Sequence, residues 1–455
     1  MMEAAELLSE GKTKEIFAVK DKPTLVIVKS KDDITAGDGE KHDLIPLKGQ
    51  WATTTTCNVF RLLQECGVPV AFKEQIDLNR FLAPKCKMIP LEVVVRREAH
   101  GSFLQRHPSA QKGNYFPRLI VEFHLKTKNR KWQGREQLYD LVADDPLVNL
   151  PAENEFSRLQ LHDSHKPYCA SEPFLRIPFD DVFDFKNVCQ VFSRMSETAA
   201  MAFLVLEKAW QILNRKLVDF KIEFGIPADT ALDENGGCLP PKLLCIADVI
   251  DNDSWRVLEG GDYIDKQVYR DGGDLSAVAQ KYRLVADLTG LFSAPNQTLI
   301  FWIGSPKDDV SVFYEAISEI LGDPWPLATG VKHFVPILEI ICSGHKQPVG
   351  AIQHLRRCLA DCADSVIVTY VGRSNGLGHM LAANCSVPVI SVPANYKEFP
   401  EDVWSSLRMP SDVPLMTVLE PRNAVLAALQ ILAMRNPMIY SALRLRQEAR
   451  LDPAA

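Results

Sequence analysis

Two lysines near the start of the chain have the type and spacing of phosphate ligands. EGKTKEI, residues 10–16, sets Lys12 and Lys14 two positions apart, and on a strand two such side chains point to the same side. Gly11 would let the backbone approach a polyphosphate closely. A solvated surface turn is the competing interpretation, because exposed lysines are common and need no ligand.

Carboxylates suited to magnesium follow in two further stretches. In VDFKIEFG, alternation separates a charged face of one strand from an apolar face, Asp219, Lys221 and Glu223 against Phe220, Ile222 and Phe224. In IADVIDNDSWR, the next predicted strand and its turn add Asp248, Asp251 and Asp253. So many charges on paired strands would repel one another without a ligand, and magnesium prefers carboxylate oxygens. A charged outer face of a sheet is the alternative.

The second half of the chain carries three polar loops, GSPKDD, SGHK and GRSNGLG, each directly after an apolar run. Gly304 and Ser305 are predicted where a strand meets a helix N-terminus, a place suited to a phosphate. Asp308 is suited to binding ribose hydroxyls. His345, flanked by glycine, serine and lysine, is predicted to be an exposed imidazole that transfers protons.

The glycines of GRSNGLG, residues 372–378, raise the question of dinucleotide binding. The stretch lacks the order GxGxxG, and no acidic residue follows at the end of a next strand to bind a ribose. Both absences argue against a dinucleotide-dependent oxidoreductase. The wall of a pocket is the better interpretation, with backbone amides and the side chains of Arg373, Ser374 and Asn375 as polar contacts.

The elements that must position these residues differ between the two halves. In the first half, strand-like runs alternate with turns and with one long helical segment, about residues 188–213. The strand-like runs are TLVIVKS, LEVVVRR, RLIVEFH, LVDFKIEF and LLCIADVI. This mixture predicts an α+β domain with a substantial antiparallel sheet.

After DLTGLFSAPNQ, residues 287–297, the runs become short and wholly apolar, TLIFWIG, ILEIICSG, SVIVTYVG and VPVISVP. Strands that are apolar on both faces predict a parallel sheet covered by helices on each side, a three-layer, Rossmann-like α/β domain. Ligands of such sheets bind at the carboxyl ends of the strands, so the three loops are expected to share one site. The break divides the chain into predicted domains 1–290 and 298–455.

Composition narrows the function classes. A net charge of −7 is unsuited to coating nucleic acid. The charged N-terminal stretch and the lack of a long uncharged apolar run predict a protein without a secretory signal or a membrane span. Eleven scattered cysteines without a CxxC pair indicate reduced thiols in the cytosol.

Motifs of the first half, taken in order, resemble those of the SAICAR synthetase family, a purine-biosynthetic ligase. They are EGKTKEI, SKDDITAGD, MIPLEVVVRREAHGSF, LVDFKIEFG and ADVIDNDSWR with DKQVYRD, over roughly residues 7–285. The resemblance implies an ATP-binding domain with phosphate contacts from Lys12, Lys14 and Lys126, and with Glu223 and Asp248 as magnesium ligands. It implies contacts to carboxyaminoimidazole ribotide (CAIR) and L-aspartate from Arg96, Ser102, Lys221, Asp253, Arg256 and Arg270.

The reaction implied by this family is ATP-driven amide formation. The ribotide carboxylate takes the terminal phosphoryl group, and the aspartate amine then displaces phosphate. Neutralisation of charge is the main catalytic requirement, so no protein nucleophile is needed. Between Lys126 and about Phe185 the chain is longer than the animal members, and KNRKWQGREQL and DDPLVNLPAENEF are alternatives for the place of one family motif.

The three loops of the second half, with DVWSSLRMPS, resemble the aminoimidazole ribotide (AIR) carboxylase family in the animal type, which is fused behind SAICAR synthetase. The resemblance implies that His345 moves the proton at the ring carbon, that Lys346 helps to hold carbon dioxide or the ribotide, and that neither ATP nor biotin is used. It also implies a homo-octamer. Further contacts to AIR or carbon dioxide are implied for Gly304, Ser305, Asp308, Ser343, Gly372, Arg373 and Ser374.

Three departures from the carboxylase pattern stand out. Lys307 follows Pro306 at a place where the family carries a serine, and a proline can re-aim a loop. The segment of residues 322–338 is longer than the connection that the family usually has between the first helix and the second strand, and GLGHML carries a histidine where animal relatives carry proline.

The leading hypothesis is a bifunctional enzyme that converts AIR to CAIR and then ligates CAIR to aspartate, giving SAICAR. The alternative is a diverged paralogue whose carboxylase half serves structure and oligomerisation.

Overall fold

The computed structural model describes residues 4–36, 41–150, 157–230, 237–321 and 335–451. Backbone contacts divide the chain into two compact units. The first extends to Ser293 and takes in Glu448 and the residues after it, and the second runs from Ala294 to Gln447. Among the described residues, no helix combines the length and the apolar character that crossing a membrane requires.

The first unit mixes helices with antiparallel strands. Its first elements are β1 (Ala4–Glu10), β2 (Lys14–Val19), β3 (Leu25–Ser30), β4 (Asp33–Ala36), β5 (Lys41–Leu44), α1 (Lys48–Glu65), β6 (Glu74–Gln75) and β7 (Arg80–Pro84). The next are β8 (Cys86–Glu98), α2 (Ser102–Arg106), β9 (Tyr115–Leu125), β10 (Lys131–Gln133), β11 (Leu138–Asp140), β12 (Leu147–Asn149), β13 (Arg158–His162) and β14 (Leu175–Pro178). The last are α3 (Val188–Ile212), β15 (Lys216–Pro227), β16 (Cys245–Ile246), β17 (Trp255–Glu259), β18 (Asp262–Tyr263), α4 (Gln267–Arg270) and α5 (Leu275–Thr289).

Two sheets dominate this unit. A five-stranded sheet has the order β1-β2-β3-β7-β6, and a nine-stranded sheet has the order β14-β13-β12-β9-β8-β15-β17-β18, with β16 also paired to β15. Strands β4 and β5 form one hairpin, and β10 and β11 form another. The antiparallel sheet predicted for the first half is therefore confirmed.

Alternation along β15 gives the large sheet two different faces. Phe220, Ile222 and Phe224 are buried, and Phe220 meets Phe203 of α3 edge to face at 5.4 Å between ring centroids. Burial of each such side chain contributes about 1.5–3 kcal/mol. Because neighbours on a strand point to opposite faces, Asp219, Lys221 and Glu223 are left on the other face.

The prediction of a full strand over LLCIADVI is wrong, since only Cys245–Ile246 pairs with β15. The chain turns after Asp248, where the Asp251 carboxylate accepts the Asp253 N–H at 2.8 Å and the Asp251 carbonyl accepts the Ser254 N–H at 2.9 Å. Such local bonds compete with a β-ladder. Asp248, Asp251 and Asp253 therefore lie on a turn and not on a strand.

The second unit is an α/β structure whose strands pair in parallel. Its elements are β19 (Thr298–Ile303), α6 (Ser311–Leu321), β20 (Ile337–Ile341), α7 (Pro348–Asp361), β21 (Ser365–Val371), α8 (Gly376–Ala383), β22 (Val389–Pro393), α9 (Trp404–Leu407), β23 (Leu415–Thr417), α10 (Pro421–Ala433) and all but the last two residues of α11 (Pro437–Ala449). The strand order is β20-β19-β21-β22-β23. Residues 322–334, most of the segment noted as unusually long, lie outside the described residues.

Strand β19 shows why these strands are apolar throughout. Leu299 and Phe301 join a cluster with side chains of α6, α10 and α11, whereas Ile300 and Trp302 join a separate cluster with side chains of α7 and α8. Each face of the sheet therefore has its own hydrophobic core, as expected for a parallel sheet between two helical layers. The predicted fold class, α+β followed by three-layer α/β, is confirmed.

Candidate functional site

A cavity of about 370 Å³ in the first unit is lined mostly by charged and polar side chains, and we call it the charged cavity. Its walls come from β8, β15, β17 and the segments that follow β9 and β16. The residues predicted to contact CAIR or aspartate all line it, namely Arg96, Ser102, Lys221, Asp253, Arg256 and Arg270. Residues far apart in sequence are thus brought to one concave surface.

The base of the charged cavity is a row of charges across three neighbouring strands. Arg96 of β8 and Arg256 of β17 lie directly opposite Asp219 of β15. Arg96 Nη1 donates to Asp219 Oδ2 at 2.9 Å, and Arg256 Nη1 donates to the same oxygen at 2.6 Å. Cross-strand partners of opposite charge stabilise a sheet, and here they also fix the direction of both guanidinium groups.

Glu122 of β9 extends this row beneath the cavity. It accepts Arg96 Nε at 2.7 Å and Arg106 Nη2 at 2.5 Å. Burial alone would raise the pKa of Glu122, but attraction from the two arginines outweighs it and brings the pKa to about 2. Sequence reasoning missed Glu122 and Arg106, because neither lies in a stretch with a local signal of binding.

Gly101 allows Arg256 to reach its place. The backbone of Gly101 has φ of 57°, and a Cβ atom at that position would lie 2.4 Å from Arg256 Nη2. Any side chain at residue 101 would therefore collide with the guanidinium group. Ser102 follows directly, and its Oγ accepts Arg96 Nη2 at 3.4 Å.

Asp253 lies between two buried lysines. Its Oδ2 is 3.5 Å from Lys48 Nζ and 3.4 Å from Lys266 Nζ, and its Oδ1 accepts the Tyr282 hydroxyl. Burial would raise the pKa of Asp253, but the two lysines lower it strongly. Lys48 is 1% exposed, and no motif around it predicted a role in the site.

Lys221, which lines the charged cavity, pairs with Glu92 of β8 at 2.8 Å. Burial would raise the pKa of Glu92, yet attraction from Lys221 leaves the pKa lowered. Arg270 donates to Gln267 Oε1 at 3.3 Å, and the same oxygen accepts Arg256 Nε at 3.4 Å. Gln267 therefore links two of the predicted substrate arginines.

A second cavity in this unit, of about 300 Å³, is mainly apolar, and we call it the apolar cavity. Side chains of β2, β3 and β7 line it together with residues 247–249. Lys14 and Asp248 stand in its wall and form an ion pair. Burial lowers the pKa of Lys14, but attraction from Asp248 outweighs it, so the ammonium group stays charged.

Lys12 does not lie on a strand with Lys14, and that part of the prediction is wrong. Residues 11–13 form the turn between β1 and β2, closed by the Gly11 N–H donating to the Lys14 carbonyl at 2.9 Å. The alternation rule holds only along an extended strand, so it does not determine where the Lys12 side chain points. Its role as a phosphate contact stays a prediction.

Glu223 and Asp248, the predicted magnesium ligands, lie near each other. Burial raises the pKa of Glu223, and repulsion from Asp248 adds to that rise. Glu223 forms an ion pair with Lys126. Within the described ranges no group of three or more His, Cys, Asp or Glu side chains converges. Two carboxylates that repel each other fit Mg²⁺, which takes its other oxygens from water and phosphate.

The two alternative stretches after Lys126 lie at different places in the first unit. Residues of KNRKWQGREQL form the β10–β11 hairpin, which is held by Trp132 Nε1 donating to the Asp181 carbonyl at 3.0 Å. Asp144 and Asp145 of DDPLVN line the charged cavity. Thr127 N–H donates to Asp145 Oδ1 at 2.8 Å, so the hairpin leaves and rejoins the sheet at one place. Residues 151–156, within the second stretch, lie outside the described part.

The three loops of the second unit follow β19, β20 and β21, whose carboxyl ends are neighbours. A Cβ atom at Gly372 would lie 3.4 Å from Asp308 Oδ1, so the first and third loops meet. A Cβ atom at Gly376 would lie 2.4 Å from His345 Nε2, so the second and third loops meet as well. The chain order reverses around β19, and such a switch point is where ligands of this architecture bind.

Polar groups of these loops mostly bond to the loops themselves. The Asp308 carboxylate is half-buried, which raises its pKa, and backbone N–H groups of Ser305 and Gly304 act in the opposite direction. Ser343 Oγ accepts the Lys346 N–H at 3.2 Å, and Lys307 N–H donates to Ser305 Oγ at 3.3 Å. These bonds close short turns within the second and first loops.

The third loop is the most firmly held. Asn375 is buried and accepts the Gly378 N–H at 2.9 Å, and it donates to Ser406 Oγ at 3.0 Å, so it supports the loop and is not a free polar contact. Ser374 N–H donates to Asp402 Oδ1 at 2.8 Å. The Arg373 guanidinium lies over the Phe399 ring, 3.5 Å from its centroid. His345 and Lys346 are exposed beside this framework.

Comparison with known proteins adds independent information. A family model described as SAICAR synthetase matches residues 7–137 and 176–287, and one described as AIR carboxylase matches residues 327–452. The Probable multifunctional protein ADE2 of Caenorhabditis elegans is 34% identical over 448 residues, 96% of this chain and 92% of the relative. The Homo sapiens bifunctional phosphoribosylaminoimidazole carboxylase/phosphoribosylaminoimidazole succinocarboxamide synthetase is 33% identical over 449 residues, with the same coverage.

A crystal structure of phosphoribosylaminoimidazole-succinocarboxamide synthase from Ehrlichia chaffeensis covers 63% of this chain and 100% of its own, with 27% identity and a TM-score of 0.46. The SAICAR synthetase family model leaves residues 138–175 unmatched, and these residues fall in the region where the sequence departs from the family. Both family models match in the fused order, and the relatives extend through both units. The chain therefore belongs to the family of bifunctional phosphoribosylaminoimidazole carboxylase/phosphoribosylaminoimidazole succinocarboxamide synthetases.

Proposed function

We propose that the protein catalyses two successive steps of purine biosynthesis. The second unit carboxylates AIR with carbon dioxide to CAIR, and the first unit ligates CAIR to L-aspartate with ATP, giving SAICAR. The observation that carries the ligase assignment is the convergence of six predicted substrate residues on the charged cavity. We assign the synthetase to residues 1–290 and the carboxylase to residues 298–455.

The apolar cavity is the proposed site of the adenine of ATP. Its aliphatic and aromatic lining suits a flat, weakly polar ring, and few polar groups are needed to orient it. Lys14 stands in its wall beside Asp248 and supports phosphate binding there. Lys126, paired with Glu223, and Lys12 in the adjacent turn are proposed as further phosphate contacts.

Ligation proceeds by phosphoryl transfer and then by displacement. A CAIR carboxylate oxygen attacks the terminal phosphorus of ATP. The bond between this phosphorus and the oxygen of the ADP leaving group breaks, and an acyl phosphate forms. The aspartate amine attacks the acyl carbon, phosphate leaves, and the amine loses a proton. Lys14 and Lys126 neutralise charge that develops on the transferred group, which is the main demand of this chemistry. Arg96 and Arg256, fixed by Asp219, orient the anionic substrates.

Glu223 and Asp248 are proposed to hold magnesium. When bound, Mg²⁺ supplies charge neutralisation on the phosphates of ATP. Lys14 and Lys126 already pair with these two carboxylates, so the lysines and the carboxylates of the phosphate site are within reach of one another.

Carboxylation requires the ring carbon of AIR to attack carbon dioxide and then to lose its proton. His345 is proposed to take that proton, because its imidazole is exposed at the switch point and contacts the backbone of Gly376. Lys346 is proposed to hold the carboxyl group. We also propose that the protein works in the cytosol as a homo-oligomer, an octamer by family resemblance.

Assays on the full chain test both steps. Wild type is expected to form CAIR from AIR and bicarbonate-derived carbon dioxide, and SAICAR from CAIR, aspartate and MgATP. His345→Asn is expected to abolish only the first reaction, and Asp248→Asn only the second. Lack of ATP- and aspartate-dependent SAICAR would overturn the ligase proposal, and normal carboxylation by His345→Asn would overturn the role of His345.

The diverged paralogue with a structural carboxylase half is not favoured. Relatives named as bifunctional match 96% of the chain, including the second unit. Lys307 is exposed in the first loop and leaves the contact between Asp308 and Gly372 in place. Carboxylase activity of the wild-type chain distinguishes the two hypotheses directly.

A further inference from the structure

Arg130 lies at the rim of the charged cavity in an unusual backbone conformation. Asn129 and Arg130 both have positive φ, 56° and 54°, and Lys131 N–H donates to the Lys128 carbonyl at 3.2 Å. This is a tight turn with two left-handed central residues, which arginine rarely occupies. Strained positions of this kind persist where the surrounding structure holds them, and they concentrate at functional sites.

Hydrogen bonds on both sides fix Arg130 at this rim. Its N–H donates to Asp144 Oδ1 at 2.6 Å, and its carbonyl accepts the Leu141 N–H at 2.8 Å. The base of the hairpin is closed where Asp145 N–H donates to Thr127 Oγ1 at 2.9 Å. The turn that carries Arg130 is thus tied to the sheet that forms the cavity, and its side chain lines that cavity.

Most charged residues around Arg130 in the cavity form ion pairs, and Arg130 differs from them. Arg96 and Arg256 pair with Asp219, and Lys221 pairs with Glu92. Asp144, which also lines the cavity, accepts the Arg130 backbone N–H and the Thr127 hydroxyl. Across the described ranges, no carboxylate lies within ion-pair distance of the Arg130 guanidinium. The rim therefore offers a cation to an anion that enters the cavity.

We propose that Arg130 is a substrate-contacting residue that binds an oxyanion of the ligase substrates. This inference rests on the proposed ligase function and extends it to a residue of the inserted hairpin. The oxyanion is either the ribotide phosphate or a carboxylate of aspartate, and the planar fork of a guanidinium group matches both. The turn holds Arg130 at the rim, where the residue is exposed and lines the cavity.

The test compares Arg130→Gly with Arg135→Ala in the full chain. Glycine favours the left-handed backbone, so Arg130→Gly removes the guanidinium group without straining the turn. Arg135 is a matched control, because it lies on the same hairpin but donates to the Phe183 carbonyl and lines no part of the charged cavity. Calorimetry measures the affinity for CAIR and, with a non-hydrolysable ATP analogue and CAIR present, the affinity for aspartate.

Arg130→Gly is expected to weaken binding of one substrate by about 10- to 100-fold, the loss typical of a charged hydrogen bond, while Arg130→Lys recovers part of it. Weaker CAIR binding identifies the phosphate as the ligand, and weaker aspartate binding identifies a carboxylate. Arg135→Ala is expected to stay within about twofold of wild type. Affinities within twofold for both substrates in Arg130→Gly would overturn the inference. Failure of wild type to bind CAIR or form SAICAR would overturn the proposed function and this inference with it.

Discussion

The charged cavity of the first unit and the site formed by the three loops of the second unit are built in different ways. In the first unit, Arg96, Glu122 and Asp219 form ion pairs with side chains less than 10% exposed. In the second unit, ion pairs lie on the surface, at Lys397–Glu420, Arg422–Glu319 and Arg435–Asp364. Its site depends instead on backbone contacts, such as those of Gly372 and Gly376 with neighbouring loops.

This difference follows from the two sheets. An antiparallel sheet with a helix on one face leaves its other face free for rows of side chains, so charges can be paired across strands. A parallel sheet covered on both faces has only its strand ends left, so the site is made by loops and helix starts. Damage to the first site should therefore appear as lost stability, and damage to the second as lost activity.

The largest effect is expected for Arg96→Met. It leaves Glu122 and Asp219 each with one arginine fewer in a buried setting, which costs about 3 kcal/mol or more. The free energy of unfolding, measured with urea, should fall by this amount, and SAICAR formation should be lost. Carboxylation by the same variant, assayed where it remains folded, is the control and should be unchanged. A loss below about 1 kcal/mol would contradict the comparison, because it is the value of a surface pair.

Gly376→Ala is expected to have the opposite effect, a loss of carboxylase activity with little loss of stability. The new Cβ atom would lie 2.4 Å from His345 Nε2 and displace the imidazole, and misplacement of about 1 Å at a reacting group costs about 100-fold in rate. Carboxylase kcat should fall accordingly, with little change in stability or in ligation. Gly350→Ala is the matched control, since its nearest neighbour is Cys342 Sγ at 3.8 Å. Equal carboxylase rates in the two variants would show that His345 is not held by this contact.

A buried carboxyl group in the first unit predicts that the free energy of unfolding depends on pH. Asp265 is fully buried and accepts N–H groups of Val257 and Gln267, each at 2.7 Å, and burial raises its pKa to about 7. The native state therefore binds its proton more tightly than the unfolded state, whose pKa is about 3.9. The stability that this group adds is fully present below about pH 4 and is lost as the pH rises through about 7.

Asp265→Asn isolates this effect, because asparagine does not titrate. The difference in free energy of unfolding, wild type minus variant, should fall by about 1.4 kcal/mol per pH unit between about pH 4 and 7. Asp309→Asn is the comparison in the second unit. Its carboxylate is exposed and accepts the Ser311 N–H, which lowers its pKa, so the corresponding difference should rise with pH. A constant difference for Asp265→Asn would contradict the prediction.

The smallest effect is expected for Lys87→Met. Lys87 pairs with Asp184, and both side chains are more than half exposed. An exposed pair of this kind contributes about 0–1 kcal/mol, so urea unfolding and both activities should be close to wild type. A loss as large as that of Arg96→Met would show that pairing, and not burial, sets the stability of the first unit.

Local patterns predicted much of this molecule correctly. Alternation in VDFKIEFG placed Asp219, Lys221 and Glu223 on one face, and the apolar runs of the second half predicted a parallel sheet. The patterns failed where local bonding replaced a strand, as in the turn after Asp248 and at Lys12. Local patterns did not indicate that Glu122, Arg106 and Lys48 belong to the site, because a buried charge is recognisable only through its partners.

The sequence by itself determined the fold class, the family and most candidate site residues, because these depend on periodicity and on motifs that are local in the chain. Only the tertiary structure decided how the charges are paired, that the hairpin after Thr127 brings Arg130 to the charged cavity, and that His345 rests against Gly376. These facts depend on strand register and on close approach between distant segments. Neither leaves a trace in a single stretch of sequence, since both arise from packing.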